Sequence, residues 1–202
     1  MFDFDREIDR RDTMSLKWDK YKGQDVLPMW VADTDFVSPP AVVEALTQRV
    51  AHGIFGYSRP SARLIELIMA RLASRYGWTI QPEWLIFLPG VVPGLNLACK
   101  AWSQQGRGII TPKPVYYPFR LAPGFNDRPL LTVPMVEEAG RWVLDLEELE
   151  RQAPAADLLL LCNPHNPGGT VFTRAELEAI DAIAERHNLV VCSDEIHCDL
   201  LL

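Results

Sequence analysis

Two short apolar runs, Leu158–Cys162 and Leu189–Ser193, flank a segment with the pattern of a helix, Arg174–His187, which Thr173 is placed to cap. A strand, a helix and a second strand of these lengths predict two parallel strands joined by a crossover helix. Near-continuous apolar strands also predict a sheet covered on both faces. The first run leads into Asn163-Pro164-His165-Asn166-Pro167-Gly168-Gly169, and the second into Asp194-Glu195-Ile196-His197. Open parallel sheets bind ligands at the carboxyl ends of their strands, so an amide and a carboxylate are delivered to one edge.

The rest of the chain fits this frame. Residues 1–38 read as polar and irregular. Pro39-Pro40 starts a helix through Val50, as proline is tolerated in a first turn, with Val42, Val43, Leu46 and Val50 on one face. A break at Gly53–Tyr57 precedes a helix over Ser61–Tyr76, which Gly77 stops. Strands are expected at Leu85–Leu88, Gly108–Thr111 and Leu130–Val133, and helices near Pro93–Ser103 and Asp145–Gln152. The fold class is therefore α/β. No internal repeat or low-complexity tract interrupts it.

With 20 Lys and Arg against 27 Asp and Glu, the net charge of −7 opposes attraction to nucleic acid or an anionic membrane and favours a small-molecule ligand. Arg10-Arg11 lies in an acidic stretch and reads as a solvated face. Cys99, Cys162, Cys192 and Cys198 form no C-x-x-C pair and read as buried free thiols of a reducing cytoplasm. The start, Met1-Phe2-Asp3-Phe4-Asp5, lacks the pattern of a secretory signal, and no apolar run reaches the ~18 residues that span a bilayer. These readings point to a soluble, cytoplasmic protein that binds no metal.

Three further segments carry chemistry. Pro89-Gly90-Val91-Val92-Pro93-Gly94-Leu95 joins an expected strand to a helix, whose free N-terminal amides suit a phosphate. Pro114-Val115-Tyr116-Tyr117-Pro118-Phe119 leaves another strand end, either as a loop packed on the core or with Tyr116 stacked on a flat ligand. Asp194, directly after an apolar strand, is expected to be substantially buried and so to need a partner, unless it serves only as a helix cap. A carboxylate for a heteroaromatic nitrogen and an amide for a phenolic oxygen are what a pyridoxal-phosphate pocket requires. His197 either reaches that ligand's oxygen side or is a satisfied core histidine. His165 shapes its turn, and His52 and His187 read as surface residues.

These stretches carry a resemblance. The chain resembles the N-terminal part of fold-type I pyridoxal-phosphate enzymes of the aminotransferase class I/II superfamily. More narrowly, it is similar to the MalY/PatB group of cystathionine β-lyases, or C–S lyases. The similar segments are Phe4-Asp5 through Arg11, Ser15–Asp19, Pro28–Phe36, Phe55–Tyr57, Pro89–Pro93, Asn163–Gly169 and Ser193–His197. The resemblance implies a parallel-dominated sheet in a large, cofactor-binding domain. Residues 1–50 would be an N-terminal arm and the start of a small domain, and residues 51–202 the first part of the large domain. It implies that Asp194 pairs with the pyridine nitrogen, Asn166 donates to the phenolate oxygen, Tyr116 stacks on the ring, and the Val91 and Val92 amides hold the phosphate of pyridoxal 5'-phosphate. Tyr57 would reach the phosphate in the neighbouring subunit of a homodimer, and Ala32 would lie near the carboxylate of the amino acid substrate.

One departure is large. The family's Schiff-base lysine follows the aspartate strand, whereas Lys17, Lys20, Lys22, Lys100 and Lys113 all precede Asp194. No catalytic residue is therefore assigned. The expectation is a truncated chain, incomplete at the C-terminus, inactive alone and with apolar faces at Ile180, Ile183 and Leu189 short of cover. The implied activity of the parent is β-elimination releasing thiol, pyruvate and ammonia. The alternatives are an aminotransferase and a non-catalytic remnant or dimerisation module.

Overall fold

The expected alternation of strands and helices is realised in the computed structural model, which describes residues 3–201. Met1, Phe2 and Leu202, and with them the extreme ends of the expected arm and large domain, lie outside the described residues. The chain divides into two units at Leu64/Ile65.

In the first unit, Ser15 caps a single-turn helix α1, Leu16–Asp19, and Pro40 opens α2, Pro40–His52, which Gly53 ends in the left-handed conformation. The stripe Val42, Val43, Leu46 and Val50 is exposed, and α2 buries no residue. Ion pairs instead organise this unit. Arg10 bridges Asp33 and Asp35 at 2.8 and 2.7 Å, and Lys17 Nζ reaches Asp35 Oδ2 at 2.6 Å and the Asp33 carbonyl at 3.0 Å. Arg10 is thus a structural bridge rather than part of the solvated face expected of it, whereas Arg11 is exposed.

Helix α3, Ala62–Tyr76, contains the boundary between the units. There follow α4 (Val91–Trp102), β1 (Gly108–Lys113), α5 (Tyr117–Phe125), β2 (Leu130–Glu138), β3 (Arg141–Leu144), α6 (Leu146–Gln152), β4 (Ala156–Cys162), α7 (Arg174–His187) and β5 (Val190–Asp194). The sheet order is β3-β2-β1-β4-β5, and every pairing is parallel except β2 with β3.

The unbroken leucine run of β4 is explained by two apolar clusters, one on each face of the sheet. Leu158 and Leu160 pack with Ile109, Leu95 and Phe119 on the side of α4 and α5. Leu159 and Leu161 pack with Ile110, Leu149, Ile180 and Ile183 on the side of α6 and α7. Helix α7 starts with a full capping box between Thr173 and Glu176 and stops at Asn188 in the left-handed conformation.

Several expectations are corrected. Leu85–Leu88 pairs with no strand among the described residues, and Ile86 is 80% exposed, because apolar character alone supplies no ladder partner. Ile180, Ile183 and Leu189 are buried under the sheet rather than short of cover. At the sheet edge, β5 alternates between half-buried and exposed positions, so it is not covered on both faces. Leu130–Val133 continues to Glu138 and turns at Ala139-Gly140 into β3, an antiparallel hairpin the sequence reading did not contain. The segment after Val115 is helix α5, with Pro118 in its first turn, where a missing N–H costs nothing.

Candidate functional site

The carboxyl ends of β1, β4 and β5 share one edge of the sheet, and three sequence-singled segments leave from it. Chain direction places them there, since parallel neighbours end together.

The Asn163–Gly169 turn ties them together. From it, the Asn163 N–H donates to the Asp194 carbonyl at 3.1 Å, and the Asn166 carbonyl accepts the Tyr116 N–H at 2.9 Å. The Asn163 side chain accepts the Phe172 N–H at 3.1 Å, closing the turn on itself. Cys162 Sγ accepts the Asn166 N–H at 3.4 Å. The Cys162 side chain belongs to the cluster beneath α4 and α5.

Asp194 points to the same face. It is the register partner of Cys162, and Val190 and Cys192, four and two residues back, pack on the α4–α5 cluster. Its carboxylate raises the thiol pKa values of Cys162 and Cys192, where burial is the larger cause. It also adds to the rise at the Tyr116 phenol, which burial and then Tyr117 dominate. The carboxylate therefore sits within electrostatic reach of Cys162 at the end of β4 and of Tyr116 beyond the end of β1. Asp194 is half-buried rather than substantially buried, and its Oδ1 accepts the Ile196 N–H at 3.1 Å. This bond closes a turn, and no helix follows Asp194 among the described residues, so the helix-cap role weighed for it is not realised.

Helix α4 begins after Gly90 with no side-chain cap, so the first-turn N–H groups of Val91 and Val92 are free for an anion. A hollow of about 380 Å³ is lined by Gly90, Val91, Gly94, Leu95, Cys192 and Asp194, placing the open helix end and the carboxylate around one space. Tyr116 is partly exposed at 39% and meets Tyr117 edge to face at 5.0 Å between ring centres. His197 is half-buried in the turn after Asp194. The structure thus brings Val91, Val92, Tyr116, Asn166, Asp194 and His197 to one end of the second unit. These groups match pyridoxal phosphate by type: free helix amides for its phosphate, an amide for its phenolic oxygen, a carboxylate for its ring nitrogen.

Ala32 and Tyr57 belong to the first unit, where both are exposed. The loop carrying Ala32 is held by the ion pairs of Asp33 and Asp35. Trp18 Nε1 adds a 2.9 Å bond to Asp35, and Trp30 Nε1 donates to the Lys17 carbonyl at 3.3 Å. The Asp35 carboxyl is held far below the usual carboxylate range by Lys17, then by Trp18 and Arg10.

Sequence reasoning missed two supports. One is the Arg10–Lys17–Asp33–Asp35 cluster, whose signal was only the alternation of basic and acidic residues. The other is Cys162, which was read simply as a buried thiol. His187 is also less exposed than expected, because its Nε2 meets Glu150 at 2.7 Å.

The family model described as aminotransferase class I and II matches residues 25–202. Cystathionine beta-lyase PatB of Bacillus subtilis is 40% identical over 205 residues, which is 98% of this chain and 53% of the relative. The crystal structure of OvoB superposes with a TM-score of 0.92 at 52% identity, covering 98% of this chain and 52% of that one. A pyridoxal-phosphate-bound C–S lyase from Staphylococcus hominis gives a TM-score of 0.90 at 31% identity, with 98% and 52% covered. The chain spans about half the length of the curated relatives it matches.

Proposed function

The chain belongs to the aminotransferase class I and II family, and from that premise we propose that the whole protein is a pyridoxal-phosphate-dependent C–S β-lyase. It would cleave cystathionine or a related sulfur amino acid to a thiol, pyruvate and ammonia. The observation that carries this reading is the meeting of Asp194, the Asn163–Gly169 turn, Tyr116 and the uncapped start of α4 at one sheet edge. The choice of lyase over transferase is supported by the C–S lyases among the similar proteins.

In this reading each residue has a defined task. Val91 and Val92 donate their amides to the phosphate, where the helix dipole adds to the attraction. Asn166 donates its amide to the phenolic oxygen, and Tyr116 covers one ring face. His197 lies on the side of that oxygen. Asp194 accepts from the ring nitrogen and favours its protonated form. Bound there, pyridoxal phosphate supplies the electron sink that lets the substrate's Cα proton leave and its Cβ–sulfur bond break. None of the five lysines matches the family's position for the covalent link, so that role is assigned to no residue of this sequence.

The Ala32 loop serves the substrate carboxylate, and Tyr57 serves the phosphate of the neighbouring subunit, which makes the working form a homodimer. Among the described residues no helix is long and apolar enough to cross a membrane; the proposed location is the cytoplasm. The test is to incubate the whole protein with cystathionine and cysteine thioethers. Thiol and pyruvate in equal amounts without a 2-oxo acid are expected. An absolute requirement for a 2-oxo acid would make it an aminotransferase, and binding without turnover would leave a dimerisation or binding module.

A further inference from the structure

We propose that His165 is a positioning residue that fixes Tyr116 against Asn166 by donating a hydrogen bond from Nε2 to the Pro114 carbonyl. The inference rests on the cofactor reading above and concerns how that site is held in shape.

His165 is 2% exposed, and its Nε2 lies 3.0 Å from the Pro114 oxygen. Two main-chain bonds hold its backbone: its N–H donates to the Thr170 carbonyl at 2.7 Å, and its carbonyl accepts the Gly169 N–H at 2.8 Å. The ring therefore projects from a fixed base, towards a carbonyl two residues before Tyr116. The next link is the Tyr116 N–H to the Asn166 carbonyl, at 2.9 Å. The loop after β1 and the turn after β4 are thus fastened at two points, with only Val115 between them. Cutting the His165 bond leaves the Tyr116 N–H as the remaining main-chain tie between loop and turn, with Val115 still packed in the α4–α5 cluster, so the loop is loosened rather than released.

The chemistry of the ring selects the tautomer. A carbonyl oxygen can only accept, so the nitrogen facing Pro114 must carry hydrogen. Burial holds the imidazole below its ordinary pKa, outweighing the carbonyls of Pro114 and Cys162, which favour the charged form. The neutral ring then has Nε2 protonated and Nδ1 bare, and Nδ1 has no hydrogen-bond partner among the described residues. Packing is separable from this donor role. The ring lies 6.4 Å from Phe172, centre to centre, so a phenylalanine at 165 preserves an apolar contact while removing the bond.

The experiment compares His165→Phe and His165→Gln with the unaltered whole protein, reading the dissociation constant of pyridoxal phosphate and the absorption spectrum of the bound cofactor. His165→Phe is expected to raise the dissociation constant about tenfold and to shift the band governed by the phenolic oxygen. His165→Gln, whose Nε2 can reach the same carbonyl, should restore most of both. Equal behaviour of all three overturns the inference and leaves the cofactor reading standing. Failure of glutamine to rescue reduces His165 to packing and also overturns it. An unaltered protein that binds no pyridoxal phosphate removes the cofactor reading, and this inference with it. If His165→Phe does not fold, the 15N shifts of His165 in the unaltered protein decide: an Nε2-protonated ring is expected, and an Nδ1-protonated ring refutes the proposal.

Discussion

The Asn163–Gly169 turn and the Asp33–Asp35 loop are each pinned by several hydrogen bonds, but from different chemical stock. The turn is held mainly by main-chain groups and by the Cys162 and His165 side chains, at the end of a strand buried on both faces. The loop is held by Arg10, Lys17 and Trp18, in a unit whose longest complete helix buries nothing. A main-chain anchorage over a packed sheet is nearly indifferent to salt and pH. Partly exposed ion pairs are screened by salt and depend on protonation. The first arrangement suits groups that must keep a fixed geometry, while the second leaves its loop able to yield.

The largest effect should come from the sheet edge. Asp194→Ala removes the charge proposed to face the ring nitrogen, at a cost on the order of 3 kcal/mol in the barrier, or roughly a hundredfold in rate. Among the described residues its side chain bonds only to the Ile196 N–H, so the fold should survive. Pyruvate release by the whole protein measures the rate, and circular dichroism the fold. A variant of unimpaired activity would remove Asp194 from the chemistry and erase the functional side of the contrast.

In the first unit the corresponding change is Lys17→Met. It keeps the length of a buried stem and deletes the donor to Asp35 and to the Asp33 carbonyl. Arg10 and Trp18 still serve Asp35, so the expected loss is about 2 kcal/mol of local stability. Amide exchange should accelerate across residues 10–35 and stay unchanged in β1 and β4. Acceleration in both places would show that the two anchorages are one cooperative structure.

Acid should separate the same regions. The Asp35 carboxyl is lowered by folding, so its contribution is fully present above the unfolded value near 4 and is lost as pH falls towards the lower folded value. Residues 10–35 should therefore loosen progressively below about pH 4, with a smaller slope in Asp35→Asn. Exchange rates measured from pH 5 downward check this, and a pH-independent loop would deny the ion pairs their structural role.

The sheet region was legible in the sequence because its signals are local. The run Leu158–Cys162 read as a buried strand, Thr173 announced the start of α7, and the Asn-Pro and Ser-Asp stretches sat where parallel strands end. Apart from the β2–β3 hairpin, whose turn at Ala139-Gly140 is local, what escaped depends mostly on partners distant in sequence. Arg10 meets Asp35 across 25 positions, and no periodicity marks such a pairing. Leu85–Leu88 had the composition of a strand, but a strand is defined by its neighbour. The half-exposure of Asp194 follows from β5 standing at the sheet edge, a matter of topology rather than of its own sequence.

The smallest effects should separate two adjacent glycines of the turn. A Cβ on Gly168 would stand 2.8 Å from His165 Cδ2 and 3.2 Å from Trp142 Cβ, whereas one on Gly169 would meet nothing within 4 Å. Gly169 is instead constrained by its backbone, at φ +67, a region that side-chain-bearing residues other than asparagine and aspartate seldom enter. Both alanine substitutions should cost about 1 kcal/mol, the first by crowding and the second by strain. Their signatures should differ. Gly168→Ala should displace the His165 ring and speed exchange of the Tyr116 amide. Gly169→Ala should lower the melting temperature without moving His165, and Gly169→Asn should recover part of the loss. If Gly168→Ala leaves both the His165 ring signals and the Tyr116 amide unchanged, the turn has more slack than its main-chain bonds suggest, and its contrast with the charge-held loop becomes one of degree.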